Sequence, residues 1–301
     1  MSLKTKPAMK NRLLYHVIWM AAFCMALGQP AGAESSTVEP SPQMNTVAIL
    51  GDSQHDEAVH RRIVELILKE RPVAVFSVGD QVNDGTSRRQ WARFNAVIAP
   101  LQKVSRYYPC LGNHEMNSPL YYQNFELPNN ERWYTVTEGG IRFIVLDSNA
   151  PLTPDTDQYQ WLVKTLNTPN PTDDFTALIF HHPLFSTSAY HEKDEKGWGP
   201  ALLPLIKKYG VDIVFNGHAH NYERSFYDGT YHIVTSGGGA HLRDQARQSP
   251  YSQVFAKEYH FCLLKNSDGV LDITVINATG KIIDTFNVVH RAPAAEPAGR
   301  H

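Results

Sequence analysis

Apolar residues recur along this chain in two rhythms. Short unbroken runs alternate with stretches in which apolar residues return every third or fourth position. Residues 46–50 and 73–78 are apolar and rich in β-branched side chains, as strands buried on both faces are. Between them Val59, Ile63, Leu66 and Ile67 fall at helical spacing. The same reading predicts a helix over 89–101, a strand over 107–111, and strands over 133–136 and 141–146. A helix near 158–166, a strand over 176–180, a helix over 201–209 and a strand over 211–215 follow. The last third reads as strands over 231–235, 260–264, 271–276 and 282–289, with turns at Asp268-Gly269 and Thr279-Gly280. Helices between strands early and hairpins late predict an α/β fold: two packed mixed β-sheets flanked by helices.

The pattern bounds one domain over 46–290. Before it, Lys4, Lys6, Lys10 and Arg12 precede an apolar stretch over 13–27, and Ala31-Gly32-Ala33 supplies small residues. This is the layout of a signal peptide over 1–33, cleaved after Ala33. The apolar stretch is short for a spanning helix, so no stable membrane anchor is expected after cleavage. Export to the periplasm or the extracellular space follows. Residues 34–45 read as a flexible lead-in, and the Ala/Pro/Gly-rich 291–301 as a disordered tail.

Composition changes this picture little. With 42% hydrophobic and 19% charged residues in 301, the chain can fill a core. A formal net charge of -2 and the absence of a long Lys/Arg run give no field that collects nucleic acid. Two cysteines follow the signal, Cys110 and Cys262. Export permits a disulfide between them, while their apolar surroundings suit two buried thiols equally.

The candidate chemistry lies where the strands end. Asp52, Asp80, Asn113, His181 and the pair His218 and His220 each follow an apolar run. In α/β sheets, ligand sites gather beyond the carboxyl ends of strands, so these distant residues can meet in one cleft. The set offers oxygen and imidazole nitrogen but no thiolate, which suits Mn, Fe, Zn or Co. It holds more ligands than one tetrahedral ion needs, and it suits two ions sharing a carboxylate. A carboxylate, with two oxygens, can tie both together. On an extended segment, His218 and His220 would share a face.

The series Gly51-Asp52-Ser53-Gln54, Gly79-Asp80, Gly112-Asn113-His114-Glu115, His181-His182-Pro183 and Gly217-His218-Ala219-His220 resembles the calcineurin-like metallophosphoesterases. Asn221-Tyr222-Glu223-Arg224-Ser225 and Thr235-Ser236-Gly237-Gly238-Gly239-Ala240 look like the purple acid phosphatase branch. The resemblance implies two divalent ions. Asp80 would bridge them, Asp52 and His220 would hold the first, and Asn113, His181 and His218 the second. It also implies hydrolysis of a small phosphate ester by hydroxide activated between the two cations. His114 would protonate the leaving alkoxide or steady the phosphoryl group, with Glu115 orienting it. His191, in a segment resembling a substrate-facing one, is a second proton-donor candidate. Asn113 and His182 are candidate substrate contacts.

The chain departs from the family near the first metal. The third position of the first motif is Gln54 where many members carry His, and Asn83 stands where the purple branch carries its ligand Tyr. Gln54, Asn83 or water would complete that metal, with His55 a further candidate by proximity, and the protein is expected not to be purple. Arg224 reads as a salt-bridge residue and Gly237–Gly239 as a tight turn rather than a phosphate cradle. The resemblance favours an exported, acid-phosphatase-like phosphomonoesterase. A phosphodiesterase or nucleotide pyrophosphatase is the alternative. A catalytically impaired metal-binding interaction module is a third reading, of another class.

Overall fold

Strands buried on both faces organise the molecule. A computed structural model describes residues 43–169, 175–189, 191, 193–267 and 269–290. The proposed signal peptide, most of the lead-in, the tail, Tyr190 and Asp268 lie outside them.

In chain order, β1 (Gln43–Leu50), β2 (Pro72–Ser77) and β3 (Arg106–Pro109) run parallel, with α1 (Glu57–Glu70) and α2 (Arg88–Gln102) between them. A short α3 (Pro119–Asn124) leads to the antiparallel pair β4 (Tyr134–Glu138) and β5 (Ile141–Val145). Then α4 (Asp157–Asn167), β6 (Phe175–Ile179), α5 (Gly199–Tyr209) and β7 (Ile213–Asn216) alternate. β8 (Tyr222–Tyr227) through β13 (Ile282–Val289) complete the chain: β9 (Thr230–Thr235), β10 (Ser252–Ala256), β11 (His260–Ser267) and β12 (Val270–Asn277) lie between. Among the described residues, one sheet has the order β13-β12-β11-β1-β2-β3 and the other β10-β8-β9-β7-β6-β5-β4. Both are mixed, as the alternation of helices and hairpins predicts.

The side-chain period of two divides each strand between two cores. From β1, Val47 and Ile49 point into the space between the sheets, while Ala48 and Leu50 meet Ile63 and Ile67 of α1 and Val97 and Leu101 of α2. From the second sheet, Phe143, Ile179 and Phe215 face inward. Ile144, Leu178 and Val214 meet Leu162 of α4 and Leu202 and Ile206 of α5 on the outer side. Phe76 and Phe143 touch across the interior, with ring centroids 4.0 Å apart. The helices α1 to α4 each start at a capping side chain, Asp56, Ser87, Ser118 and Thr156, and Asp56 accepts from Ala58 and Val59.

Three elements escape the hydrophobic pattern: α3, β8 and β10. Cys110 and Cys262 are both buried free thiols. No helix among the described residues is long and apolar enough to cross a membrane.

Candidate metal centre

The parallel strands deliver the candidate ligands. Asp52 follows β1, Asp80 follows β2, Asn113 follows β3, His181 follows β6, and His218 and His220 follow β7. Both sheets therefore contribute to one edge of the sandwich. One ligand atom each from Asp52, Asp80 and His220 lie within 4.8 Å of one another, as do those of His181, His182 and His218. Asn113 Oδ1 sits 3.0 Å from His181 Nε2 and 3.0 Å from His218 Nδ1. His181 Nε2 is 3.2 Å from Asp80 Oδ2, which links the two groups.

Backbone geometry is unusual at these positions. Asp52, Asp80, His218 and His220 have φ of 56, 54, 72 and 53°, a left-handed region that costs L-residues energy. The expectation that His218 and His220 share a face of an extended segment is thus replaced. Two left-handed turns aim them separately. The neighbouring glycines leave room for the ligands: a Cβ on Gly112 would sit 2.1 Å from Asp80 Oδ1, and one on Gly217 would sit 2.6 Å from Asp52 Oδ2.

Hydrogen bonds at the outer ring nitrogens fix the imidazole tautomers. His181 Nδ1–H donates to the Val78 carbonyl at 2.8 Å, and His220 Nδ1–H to the His241 carbonyl at 3.0 Å. His218 Nε2–H donates to Glu195 Oε2 at 2.9 Å. Each bond places the proton away from the centre and turns a lone pair inward. The inner atoms are then acceptors facing acceptors: Asn113 Oδ1, His181 Nε2 and His218 Nδ1 on one side, Asp52 and His220 Nε2 on the other. That donor set fits a pair of cations.

The electrostatics agree at His218 and His220, whereas His181 holds a proton between its Nε2 and Asp80 that a cation would displace. Burial raises the Asp52 carboxyl well above the usual range. Burial also opposes ionisation of Asp80, yet the facing His181 charge holds it down to about 2. Burial likewise opposes protonation of His181, but Asp80 lifts it to about 10. His218 falls to about 2 through burial and the His181 charge, and burial takes His220 and His191 each to about 4. Low values keep these imidazoles neutral, the form that binds metals.

His114 lies partly exposed at the edge of the centre. Its N–H donates to Asp80 Oδ1 at 2.9 Å, and its Nδ1 bonds the Asn83 carbonyl at 2.8 Å. His191 closes the other side, its ring centroid 4.2 Å from that of His218. His182 is buried against Ser148, whose Oγ is 2.8 Å from its Nδ1.

Gln54 reaches the centre, with Nε2 3.3 Å from Asp80 Oδ2 and a buried Oε1 that has no partner. Asn83 does not: its Oδ1 pairs with His55 Nε2 at 2.8 Å, and the His55 ring stacks on His241. Both turn to one another rather than to Asp52 or His220. Glu115 does not orient His114. It is fully buried, and its carboxylate accepts the N–H groups of Asp80, Gln81, Val82 and Gly112, bracing both metal loops. Arg224 pairs with Asp284, and the glycine turn packs on the first loop through the Gly238 N–H to the Gly51 carbonyl.

Sequence reasoning missed Glu195, which sits in a charged stretch that reads as a solvated loop, and Ser148. Neither carries a motif that would have pointed to it.

Residues 46–222 match the family model described as Calcineurin-like phosphoesterase. The chain is 29% identical over 267 residues to probable inactive purple acid phosphatase 24 of Arabidopsis thaliana, covering 71% of this chain and 42% of that protein. It is 28% identical over 265 residues to a nucleotide pyrophosphatase/phosphodiesterase of Hordeum vulgare, covering 72% of each. The chain thus spans less than half the length of the Arabidopsis relative. Among solved structures, the purple acid phosphatase PPD1 from yellow lupin (Lupinus luteus) seeds superposes with a TM-score of 0.75 at 22% identity, covering 84% of this chain and 55% of that one. With two mixed sheets delivering acids, amide and imidazoles to one edge, and the match spanning more than half its length, this chain belongs to the calcineurin-like phosphoesterases.

Proposed function

We propose that the protein is an exported phosphohydrolase of the acid-phosphatase kind, acting on small phosphomonoesters with two divalent cations. The observation that carries this reading is the inward lone pairs of His181, His218 and His220, each fixed by an outer hydrogen bond, around Asp52, Asp80 and Asn113. Asp52, His220 and Gln54 would hold one ion, Asn113, His181 and His218 the other, and Asp80 both. When bound, the cations supply positive charge to the phosphoryl oxygens and acidify a water near neutral pH.

The chain's own groups do the rest. With Nδ1–H donated to the Asn83 carbonyl, His114 turns Nε2 toward the leaving oxygen, and in its doubly protonated form it passes a proton there and keeps the one on Nδ1. Ser148 Oγ accepts the His182 backbone N–H and gives its own proton to Nδ1, so His182 Nε2–H is left to donate to a phosphoryl oxygen. The Asn113 amide nitrogen is a second such donor. His191, expected to be a second proton donor, stands beside His218 with its Nε2 buried and unpartnered, and burial keeps it neutral, so its role is a hydrogen bond to the substrate rather than proton transfer. The export proposal is supported by the basic, apolar and small-residue order of the first 33 residues.

A second reading has its own support. The Hordeum vulgare relative is named a nucleotide pyrophosphatase/phosphodiesterase and matches over comparable shares of both chains. The name of the Arabidopsis relative, probable inactive, keeps a metal-binding interaction module as a third. One experiment separates them. The chelated protein is reconstituted with Mn, Zn, Fe, Co or Mg, metal content is measured, and para-nitrophenyl phosphate is compared with its bis ester. Monoester turnover that falls by about a hundredfold or more in Asp80→Asn supports the proposal. A marked preference for the bis ester favours the diesterase. Two tightly held ions without hydrolysis of either ester favour the interaction module.

A further inference from the structure

A cavity of about 450 Å³ opens between the loop after β6 and the loop ahead of β10. Lys193 and Arg247 line it, together with Ser186, Ser249 and Tyr251. Among the described residues, no carboxylate belongs to the lining. Lys193 is exposed and Arg247 half-buried, so neither side chain is sealed from the cavity.

Four acids of the surrounding segments are engaged elsewhere. Asp194 accepts the Trp198 and Gly199 N–H groups at the start of α5, and Glu195 accepts from His218. Glu223 holds the Thr187 hydroxyl, and Asp244 pairs with Lys257. Arg247 is committed on one side only. Its Nη1 donates to the His191 carbonyl at 2.6 Å and to the Ser186 carbonyl at 3.4 Å, which leaves the other edge of the guanidinium for an acceptor.

Backbone bonds fix this cavity beside the metal centre. The Arg243 N–H donates to the His220 carbonyl at 2.9 Å. Further along the same segment, Arg247 holds the carbonyl of His191, whose ring lies 4.2 Å from that of His218. Between those points the Ala246 N–H donates to the Thr187 carbonyl at 2.8 Å and the Ala189 N–H to the Asp244 carbonyl at 2.7 Å. The Tyr251 ring packs on Phe185 at 5.5 Å and on Tyr227 at 4.9 Å. The walls are therefore built before a ligand arrives, which lowers the ordering cost of binding.

The lining selects the ligand. An ammonium and a guanidinium without a facing acid select an anion, and the planar fork of Arg247 suits a phosphoryl group. A phosphate monoester carries a charge of about −1.5 to −2 at pH 7, which answers both cations, whereas a carboxylate answers one. We propose that this cavity binds a second phosphoryl group of the substrate, with the first on the metal centre. The preferred substrates are then organic bisphosphates. His191 stands between the two sites, so their phosphoryl groups are separated by a carbon chain rather than joined as a pyrophosphate. The proposal rests on the phosphohydrolase reading and deepens it by naming the substrate class.

The test is calorimetric binding to the full, zinc-loaded chain. The probes are terminal alkanediyl bisphosphonates with chains of three to six carbons and alkyl monophosphonates of the same lengths, none of which can be hydrolysed. For at least one length, wild type should bind the bisphosphonate about tenfold or more tightly than the monophosphonate, beyond the roughly twofold gain that two equivalent ends give. Lys193→Ala removes one cation. Arg247→Gln removes the other and keeps an amide that can donate to the His191 carbonyl. Each should cut the ratio at that length to about threefold or less, with thermal melting checking that both variants fold. A wild-type ratio short of tenfold at every length, or a ratio that neither variant lowers, overturns the proposal. If wild type binds neither the monophosphonates nor inorganic phosphate, the phosphohydrolase reading is what fails. Phosphorus-31 line broadening of the bisphosphonates then judges the cavity. More broadening by wild type than by Lys193→Ala keeps a phosphate site there, and equal broadening overturns it.

Discussion

Glu115 carries more of the site than its place in the chain suggests. One buried carboxylate gathers the N–H groups of Asp80, Gln81, Val82 and Gly112, and so fixes the loops after β2 and β3 against each other. In Glu115→Gln, one oxygen becomes an NH₂ group facing N–H donors. The expected cost is about 2–4 kcal/mol, since two buried donors lose their acceptor. Urea denaturation of the two proteins checks it, and a loss below about 0.5 kcal/mol would show that the brace is dispensable. At this scale much of the site is legible in the sequence. An acid, amide or imidazole after each apolar run, preceded by Gly at Asp52, Asp80, Asn113 and His218, brings these residues together with His181 and His220. What adjacency hides is direction. Glu115 follows His114 yet points into the interior, because the turn between β3 and α3 sends neighbouring side chains to opposite sides. Glu195 reaches His218 only through the path of its loop, which no local pattern encodes.

Among elements, those with a strong apolar rhythm are legible and those held by polar partners are not. β1, β2, β6 and β7 are buried on both faces and read as continuous apolar runs. β8 shows no apolar rhythm in the sequence, because Glu223 and Arg224 follow Tyr222. Its charges are instead consumed inside: Glu223 accepts the Thr187 N–H and hydroxyl, and Arg224 Nε lies 2.7 Å from Asp284 Oδ2. Since β8 belongs to the seven-stranded sheet and Asp284 to β13 of the other, that pair ties the two sheets together. Arg224→Met should therefore cost about 2–3 kcal/mol, because Asp284 keeps only the Tyr222 hydroxyl as a partner in a half-buried place. Phosphatase turnover should change by less than about twofold once the variant is folded. Chemical denaturation and steady-state kinetics on the same preparation separate the two effects. A selective collapse of turnover would return Arg224 to the substrate.

For the molecule as a whole, the same burial that keeps imidazoles neutral makes the fold acid-sensitive. His60, His232 and His260 lie in the interior, apart from the candidate ligands, and burial lowers them to about 3, 3 and 4. Only weak influences act besides burial: Arg61 on His60, and the Glu258 carbonyl on His260. The folded state thus binds fewer protons than the unfolded chain between those values and the ordinary 6.5. Wherever the unfolded state binds more protons, stability rises with pH, so acidification from 6.5 downward lowers the stability of the fold. The stabilisation is fully present above the unfolded value and is spent once pH reaches the folded one. His232 isolates the effect, since neither ring nitrogen has a partner and its ring rests edge-on to Phe185 at 4.7 Å. It also lines a second cavity of about 260 Å³, which gives a larger ring room. In His232→Phe, the loss of unfolding free energy between pH 7 and pH 5 should shrink by about 2 kcal/mol relative to wild type. Urea titrations at the two pH values measure that difference of differences. An unchanged pH dependence would mean that His232 takes up its proton in the folded state, and that the interior around it is open to water.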